Sequence, residues 1–352
     1  MSAPTTTDIP SWPVADDPEA WLALAEEKGI GDGLPLIPPT PDRLAAWLDV
    51  VGREPSEALG VVPPRQGTLT VAALAINSIM AGARPNAFPI LVSAFEAMFE
   101  PRFNLLTTQV TTNPIAPLVM VSGPAAAAAG MNGGEGYLGP GNRANATIGR
   151  AVRLTLMNVG GARPGVADRA TAGQAAKYTL AFAENETDSP WDTLATSQGV
   201  TSDSAVVAFG AVSLFSHLDS VSSSAEDLLD NLAQTLTARG TNVVLGGGEV
   251  LVLLCPEHAR LLDRAGMRRA DVQHELFERS RTPLGNFPSS FLAAMRRVRA
   301  DNATTVFDGD SVRVFDRPDD VLLAVAGGAG KHSVTAASIA TNRSVAQPVS
   351  GM

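Results

Sequence analysis

A single cysteine, two tyrosines, four histidines and three lysines are spread over 352 residues. Each scarcity excludes something. Cys255 alone can form neither an intrachain disulfide nor a cysteine-rich metal centre. His217, His258, His274 and His332 are scattered, and Pro256-Glu257-His258 lacks the spacing of a zinc-protease helix, so no metal site is expected. Aromatic residues reach only 5% beside 45% hydrophobic, which predicts a core of Ala, Val, Leu and Ile. No apolar run reaches about 18 residues free of charge, so no membrane-spanning helix and no membrane partner are expected. The N-terminus has no basic stretch leading into an apolar one, and a soluble cytoplasmic protein is the expectation.

A net charge of −10 withholds the cationic surface that displaces counterions from nucleic acid, so no nucleic-acid partner is expected. A local cluster of Arg and Lys can still hold an anionic small molecule. Gly246-Gly247-Gly248-Glu249 misses the dinucleotide-loop spacing, and no G-x-S-x-G elbow occurs. The glycines ahead of Lys331 miss the P-loop spacing. No cofactor is therefore expected.

Of 26 cationic residues only Lys28, Lys177 and Lys331 are lysines. A chain that uses Arg for ordinary surface charge keeps a lysine where a compact ammonium with a movable pKa has work. Lys177 stands in Gln174-Ala175-Ala176-Lys177-Tyr178, ahead of the acidic run Glu184-Asn185-Glu186. Lys331 stands in Gly327-Gly328-Ala329-Gly330-Lys331-His332-Ser333, a glycine turn after an apolar run.

Along the chain the pattern predicts an α/β protein with mixed sheets and flanking helices. Residues 1–14 read as a flexible arm, 15–200 as an N-terminal α/β half, 201–343 as a C-terminal α/β half and 344–352 as a tail. Interior strands are predicted at Leu118–Val121, Val250–Leu254 and Val321–Val325, and a short strand at Val243–Leu245. Thr70 should cap a helix from Val71, while Asn145 or Thr147 should cap one running through Ile148 and Val152 to Gly160. Residues 162–200 have little regular period, which for so long a segment suggests function. The stretch Val119–Pro124, followed by a helix and Gly130, echoes Val252–Pro256, followed by a helix and Gly266. Two related halves around one cleft would explain the echo; so would the ordinary recurrence of strand–Pro–helix units.

Candidate chemistry follows from residue type and spacing. A strand opening into glycines turns backbone N–H groups toward an anion, so Gly328, Gly330, Lys331 and Ser333 are candidate substrate contacts, with His332 as acid or base. Arg143, Asn145 and Arg150 flank a helix start, where two guanidinium forks can meet a carboxylate or phosphate; the alternative is an ion pair of Arg150 with Glu184 or Glu186. Alternate carboxylates face the same way on an extended segment, so Glu184 and Glu186 can pair for proton transfer, unless they simply belong to a solvated acidic loop. Lys177, Tyr178 and Asp32, in the Gly31-Asp32-Gly33 turn, complete the set. For Cys255 and His258 the expectation is an inert core thiol and a packed or capping imidazole.

The motifs Gly31-Asp32-Gly33-Leu34-Pro35, Ala75-Ile76-Asn77-Ser78-Ile79-Met80-Ala81-Gly82, Arg143-Ala144-Asn145-Ala146-Thr147-Ile148-Gly149-Arg150, Ala183-Glu184-Asn185-Glu186 and Pro256-Glu257-His258-Ala259 occur together. In this combination the chain resembles a poorly characterised bacterial family related to proteins catalogued with U-G-S-C selenoproteins. The resemblance spans most of residues 30–335 and brings no settled reaction with it. This chain lacks the U-G-S-C motif and has Ala83 where a cysteine would follow Met80-Ala81-Gly82.

The functional expectation is an enzyme for a small, polar, anionic organic substrate, working by hydrolysis or elimination without a nucleotide. Lys331, with Arg143 and Arg150, would stabilise the anion. His332, Glu184 or Glu186 would move protons, and Tyr178 would donate to a leaving group. The alternative is a non-catalytic or redox-accessory subunit that binds a small ligand for a thiol or selenol partner protein. Ala-rich helices suited to close packing also suggest a homodimer.

Overall fold

The computed structural model describes residue 9 and residues 11–218, 221–302 and 306–350. Most of the arm expected over 1–14 and the end of the expected tail lie outside the described residues.

Two four-stranded sheets meet face to face, and helices cover both outer faces. The first sheet holds β1 (Ala116–Ser122), β2 (Ala181–Ala183), β3 (Ala205–Ala211) and an edge strand from the C-terminal end of the chain. The second holds β4 (Ser213–Leu218), β5 (Val250–Leu254), β6 (Val321–Val325) and β7 (His332–Ala337). The edge strand of the first sheet is β8 (Val345–Pro348), so residues expected to be a tail are built into the sheet. The orders are β2-β1-β3-β8 and β6-β5-β7-β4.

Alternation along each strand creates the layers. On β1, Leu118 and Met120 join the core between the sheets, while Val119 and Val121 face the first set of helices. On β5, Leu251 and Leu253 face inward, and Val250, Val252 and Leu254 pack under the second set. Strands buried on both faces read as unbroken apolar runs, which is why these were legible. The result is a helix–sheet–sheet–helix sandwich, of the α/β class expected.

Both sheets have the same connectivity. A central strand (β1, β5) leads into a helix begun by proline, α3 (Pro124–Ala129) or α6 (Pro256–Arg264). A longer helix follows, α4 (Arg143–Asn158) or α7 (Arg269–Arg279). The chain then returns as a strand parallel to the centre (β2, β6) and next as one antiparallel to it (β3, β7). Finally it crosses to the edge of the other sheet, where β4 pairs with β7 and β8 with β3. The echo between residues 119–124 and 252–256 thus extends to a whole unit, and the units exchange their last strands. Helices α1 (Val71–Ala81), α2 (Phe88–Phe99) and α4 pack on the first sheet; α5 (Ala225–Leu236), α6 and α7 pack on the second.

Thr70 caps α1 as expected, its side chain accepting the Ala73 N–H at 3.1 Å. Two local expectations fail. Val243–Leu245 is helical, within Asn242–Gly246. The cap of α4 is Asn142, whose side-chain oxygen Oδ1 accepts the Asn145 N–H at 2.9 Å, so Arg143 is already the first helical residue. Asn145, inside the helix, instead donates to the carbonyls of Asn132 and Tyr137. Among the described residues no helix is long and apolar enough to cross a membrane.

Candidate active site

Helix α4 carries Arg150 and Arg153 three positions apart, on one face. Beneath that face the irregular segment expected to be functional folds into a loop that brings Asp168, Gln174, Lys177 and Tyr178 together. The loop can approach because α4 has glycine at 149. A Cβ there would stand 2.5 Å from the Leu180 nitrogen and from Thr179 Oγ1. Thr179 Oγ1 donates to the carbonyl of Ala146 at 2.8 Å, fixing the segment that carries Lys177 and Tyr178. At its other side the Gln174 amide donates to the carbonyls of Pro114, Ala211 and Val212, anchoring the loop where β1 begins and β3 ends.

Between loop and helix lies a cavity of about 440 Å³, lined by Asp32, Arg153, Asp168, Gln174, Lys177 and Tyr178 among others. One carboxylate oxygen organises its charged wall. Asp168 Oδ2 accepts from Lys177 Nζ at 2.7 Å and from Arg153 Nη2 at 2.9 Å. Asp168 Oδ1 accepts the Ala170 N–H at 3.1 Å. Burial on its own would raise the Asp168 pKa; the Lys177 hydrogen bond, the Ala170 N–H and the two cations outweigh it and hold the carboxyl below its usual range. Lys177 moves down as well, because burial penalises its ammonium more than Asp168 supports it, with Arg153 adding repulsion. Arg153 also donates to the Ala162 carbonyl, which keeps its plane fixed. Tyr178 stands at the mouth, 49% exposed.

A second ion pair closes one wall. Arg150 grips Asp32 through Nε at 2.7 Å and Nη2 at 2.8 Å, and reaches the carbonyls of Leu34 and Pro35. It therefore pins the proline-rich loop, and its partner is Asp32 instead of the Glu184 or Glu186 considered from the sequence.

The other expected site residues lie elsewhere. Arg143 donates through Nε and Nη2 to the Gly82 carbonyl, tying α4 to the end of α1. Glu184 is buried at the end of β2, where both carboxylate oxygens accept the Leu194 N–H. Burial pushes its pKa up to about 7, against the pull of Arg269 and the Leu194 N–H. Glu186 accepts the Gly123 N–H at 2.5 Å, so the two glutamates serve different backbone groups. Gly328 packs on the loop after α3, where a Cβ would stand 2.6 Å from that of Glu135. Gly330, Lys331 and Ser333 gather at the far end of the second sheet, and His332 is exposed. The structure thus brings Asp32, Arg150, Lys177 and Tyr178 together and separates them from the Lys331 turn.

Asp168 and Arg153 were not singled out from the sequence. Carboxylates and arginines are common in this chain, and the only available signal was the spacing of Arg153 from Arg150. Among the described residues no group of three His, Cys, Asp or Glu side chains is placed to hold a metal ion. No protein-family model matches the chain, and no curated protein matches it.

Proposed function

We propose that the chain is an enzyme acting on a small polar substrate with an anionic group, by elimination or hydrolysis, in the cavity between α4 and the loop bearing Lys177. The observation that carries this reading is the shared Asp168 oxygen, with Lys177 at 2.7 Å and Arg153 at 2.9 Å, on the cavity wall. Among the charged residues lining the cavity Arg153 and Lys177 balance Asp32 and Asp168, and Arg150, paired with Asp32, brings the group to +1 in a chain of −10. That sign favours an anionic substrate.

Arg153 gives the arrangement its chemistry. With Arg153 still on Asp168, Lys177 can lose its proton without leaving the carboxylate unpaired, and burial already favours that loss. The neutral amine then removes a proton beside the substrate's anionic group. For elimination, the electron pair closes a double bond and the leaving group departs with the Tyr178 hydroxyl proton, which water restores at the exposed mouth. For hydrolysis, the same amine takes the proton from water, whose oxygen bonds to the substrate's acyl carbon while the leaving group departs with the Tyr178 hydroxyl proton.

The test uses a panel of small carboxylates bearing a β leaving group or a hydrolysable bond, assayed by ultraviolet absorbance of an unsaturated product and by acid release. The parent chain should turn over one class. Lys177→Met should be slower by about 10²–10⁴, the usual worth of a positioned acid or base. Equal rates for parent and variant, or no turnover of any member by the parent, would contradict the proposal.

A further inference from the structure

At the carboxyl ends of β5 and β6, away from the proposed active site, a second cavity of about 220 Å³ is lined by Lys331, Arg260, Arg264, Glu257, His258 and Ser222 among others. In open α/β sheets this is the end at which ligands gather. We infer that this cavity is a second ligand site, for a dianionic phosphate group carried by a small hydroxylated molecule.

Three observations support it. Lys28 and Lys177 each hold a carboxylate at 2.7 Å, whereas Lys331 has no carboxylate within salt-bridge distance among the described residues. Its Nζ donates to the Ser222 carbonyl at 3.3 Å, which uses one of the ammonium's three donors. Second, Glu257, Arg260, Leu261 and Arg264 recur at helical spacing along α6, so both guanidinium groups border the cavity. Counting the lining, Lys331, Arg260 and Arg264 against Glu257 leave +2, the complement of a phosphate dianion. Asp188 meets Arg260 from outside at 3.3 Å, on exposed side chains, and offsets part of that balance.

Third, the polar floor is organised. Behind it, Ser333 Oγ accepts the Cys255 N–H at 3.1 Å and lies 2.7 Å from Nδ1 of His258, a lining residue, which fixes that imidazole in place. Glu257 Oε1 accepts the Gly330 N–H at 2.9 Å, which ties the Lys331 turn to α6. Glu257 Oε2 is buried and accepts no hydrogen bond among the described residues, a place for a ligand hydroxyl. A volume below the roughly 300–1,000 Å³ of sites for drug-sized ligands restricts the occupant to a phosphate head with a short chain.

Calorimetric titration of the full chain with inorganic phosphate and with glycerol 3-phosphate tests the inference. Lys331→Met should weaken both by roughly 10- to 100-fold, the loss of a hydrogen bond to a charged group, while its circular dichroism matches the parent. Arg264→Gln, on an exposed side chain, should weaken them in the same direction, and Lys177→Met should leave them unchanged. Tighter binding of the ester would assign the Glu257 oxygen to the ligand hydroxyl; equal binding would assign recognition to the phosphoryl group alone. Absence of binding by the parent, equal affinity in Lys331→Met, or a loss confined to Lys177→Met would overturn the inference.

Discussion

The two cavities hold the same cation in opposite company. Lys177 shares a buried carboxylate oxygen with Arg153, so its charge is matched and its proton is loosened by burial. Lys331 meets a backbone carbonyl and two arginines across a cavity that carries one carboxylate. A paired, desolvated lysine suits proton transfer, because its two protonation states are brought closer in energy. A lysine grouped with arginines suits holding a permanent anion. Residue scarcity drew attention to both lysines, and their neighbours separate the roles.

The sharpest way to break that contrast is Asp168→Asn. It leaves Lys177 and Arg153 buried beside a neutral amide, and one-sided removal of a buried partner costs about 3–5 kcal/mol. Urea unfolding should register that loss, and a smaller change than about 1 kcal/mol would mean the pair is wetter than its geometry indicates.

Next comes Glu184, which lies where the two sheets meet and shows what burial does to a carboxyl with little cationic support. Its rise from 4.5 to about 7 corresponds to about 3 kcal/mol. The folded chain holds this proton more tightly than the unfolded one, so the contribution is fully present below pH 4.5 and is lost as pH rises through about 7. His217, pushed down to about 4 by burial and by His258, works in the opposite sense: its contribution is present above pH 6.5 and lost as pH falls through about 4. Comparing the parent with Glu184→Gln isolates the carboxyl. The variant should be the more stable of the two at pH 8, with the difference vanishing near pH 4 in denaturant titrations.

Gly328→Ala tests whether the glycine turn before Lys331 is built for packing. A Cβ there overlaps the Glu135 Cβ and backbone, and such overpacking costs about 1–3 kcal/mol. A thermal scan indistinguishable from the parent would show that the loop yields. The smallest effect belongs to Lys331→Met, expected to stay within about 0.5 kcal/mol of the parent because no carboxylate among the described residues depends on it.

Much of the sandwich was legible because its central strands are buried on both faces and several of its helices open with proline or after threonine, as α1, α3 and α6 do. Val243–Leu245 misled because three β-branched or apolar residues before glycines look like a strand; Thr241 precedes it, and one helical turn forms instead. Strand β8 was hidden since Val-Ala-Gln-Pro has no periodicity to read, and its proline is tolerable only because the strand lies at an edge. At the α4 start Asn145 and Thr147 looked like the caps, but Asn142 takes the role by accepting the Asn145 N–H, and the Asn145 side chain is drawn to the carbonyls of Asn132 and Tyr137. At the site, residues were visible where they were rare or, like Asp32 and Arg150, stood in a glycine turn or near a helix start. Lys177 and Tyr178 stood out, while Asp168, the group that organises them, looks like any loop aspartate until the fold brings α4 against it.

The most direct test of the paired-lysine claim is nuclear magnetic resonance of the chain labelled with carbon-13 at lysine Cε. Three lysines give three signals, which Lys28→Arg, Lys177→Met and Lys331→Met assign. The Lys177 signal should titrate below the ordinary 10.5 and move when a small carboxylate is added, while that of Lys28 stays still. A Lys177 signal that titrates at or above 10.5, or that no carboxylate of the panel displaces, would contradict the claim.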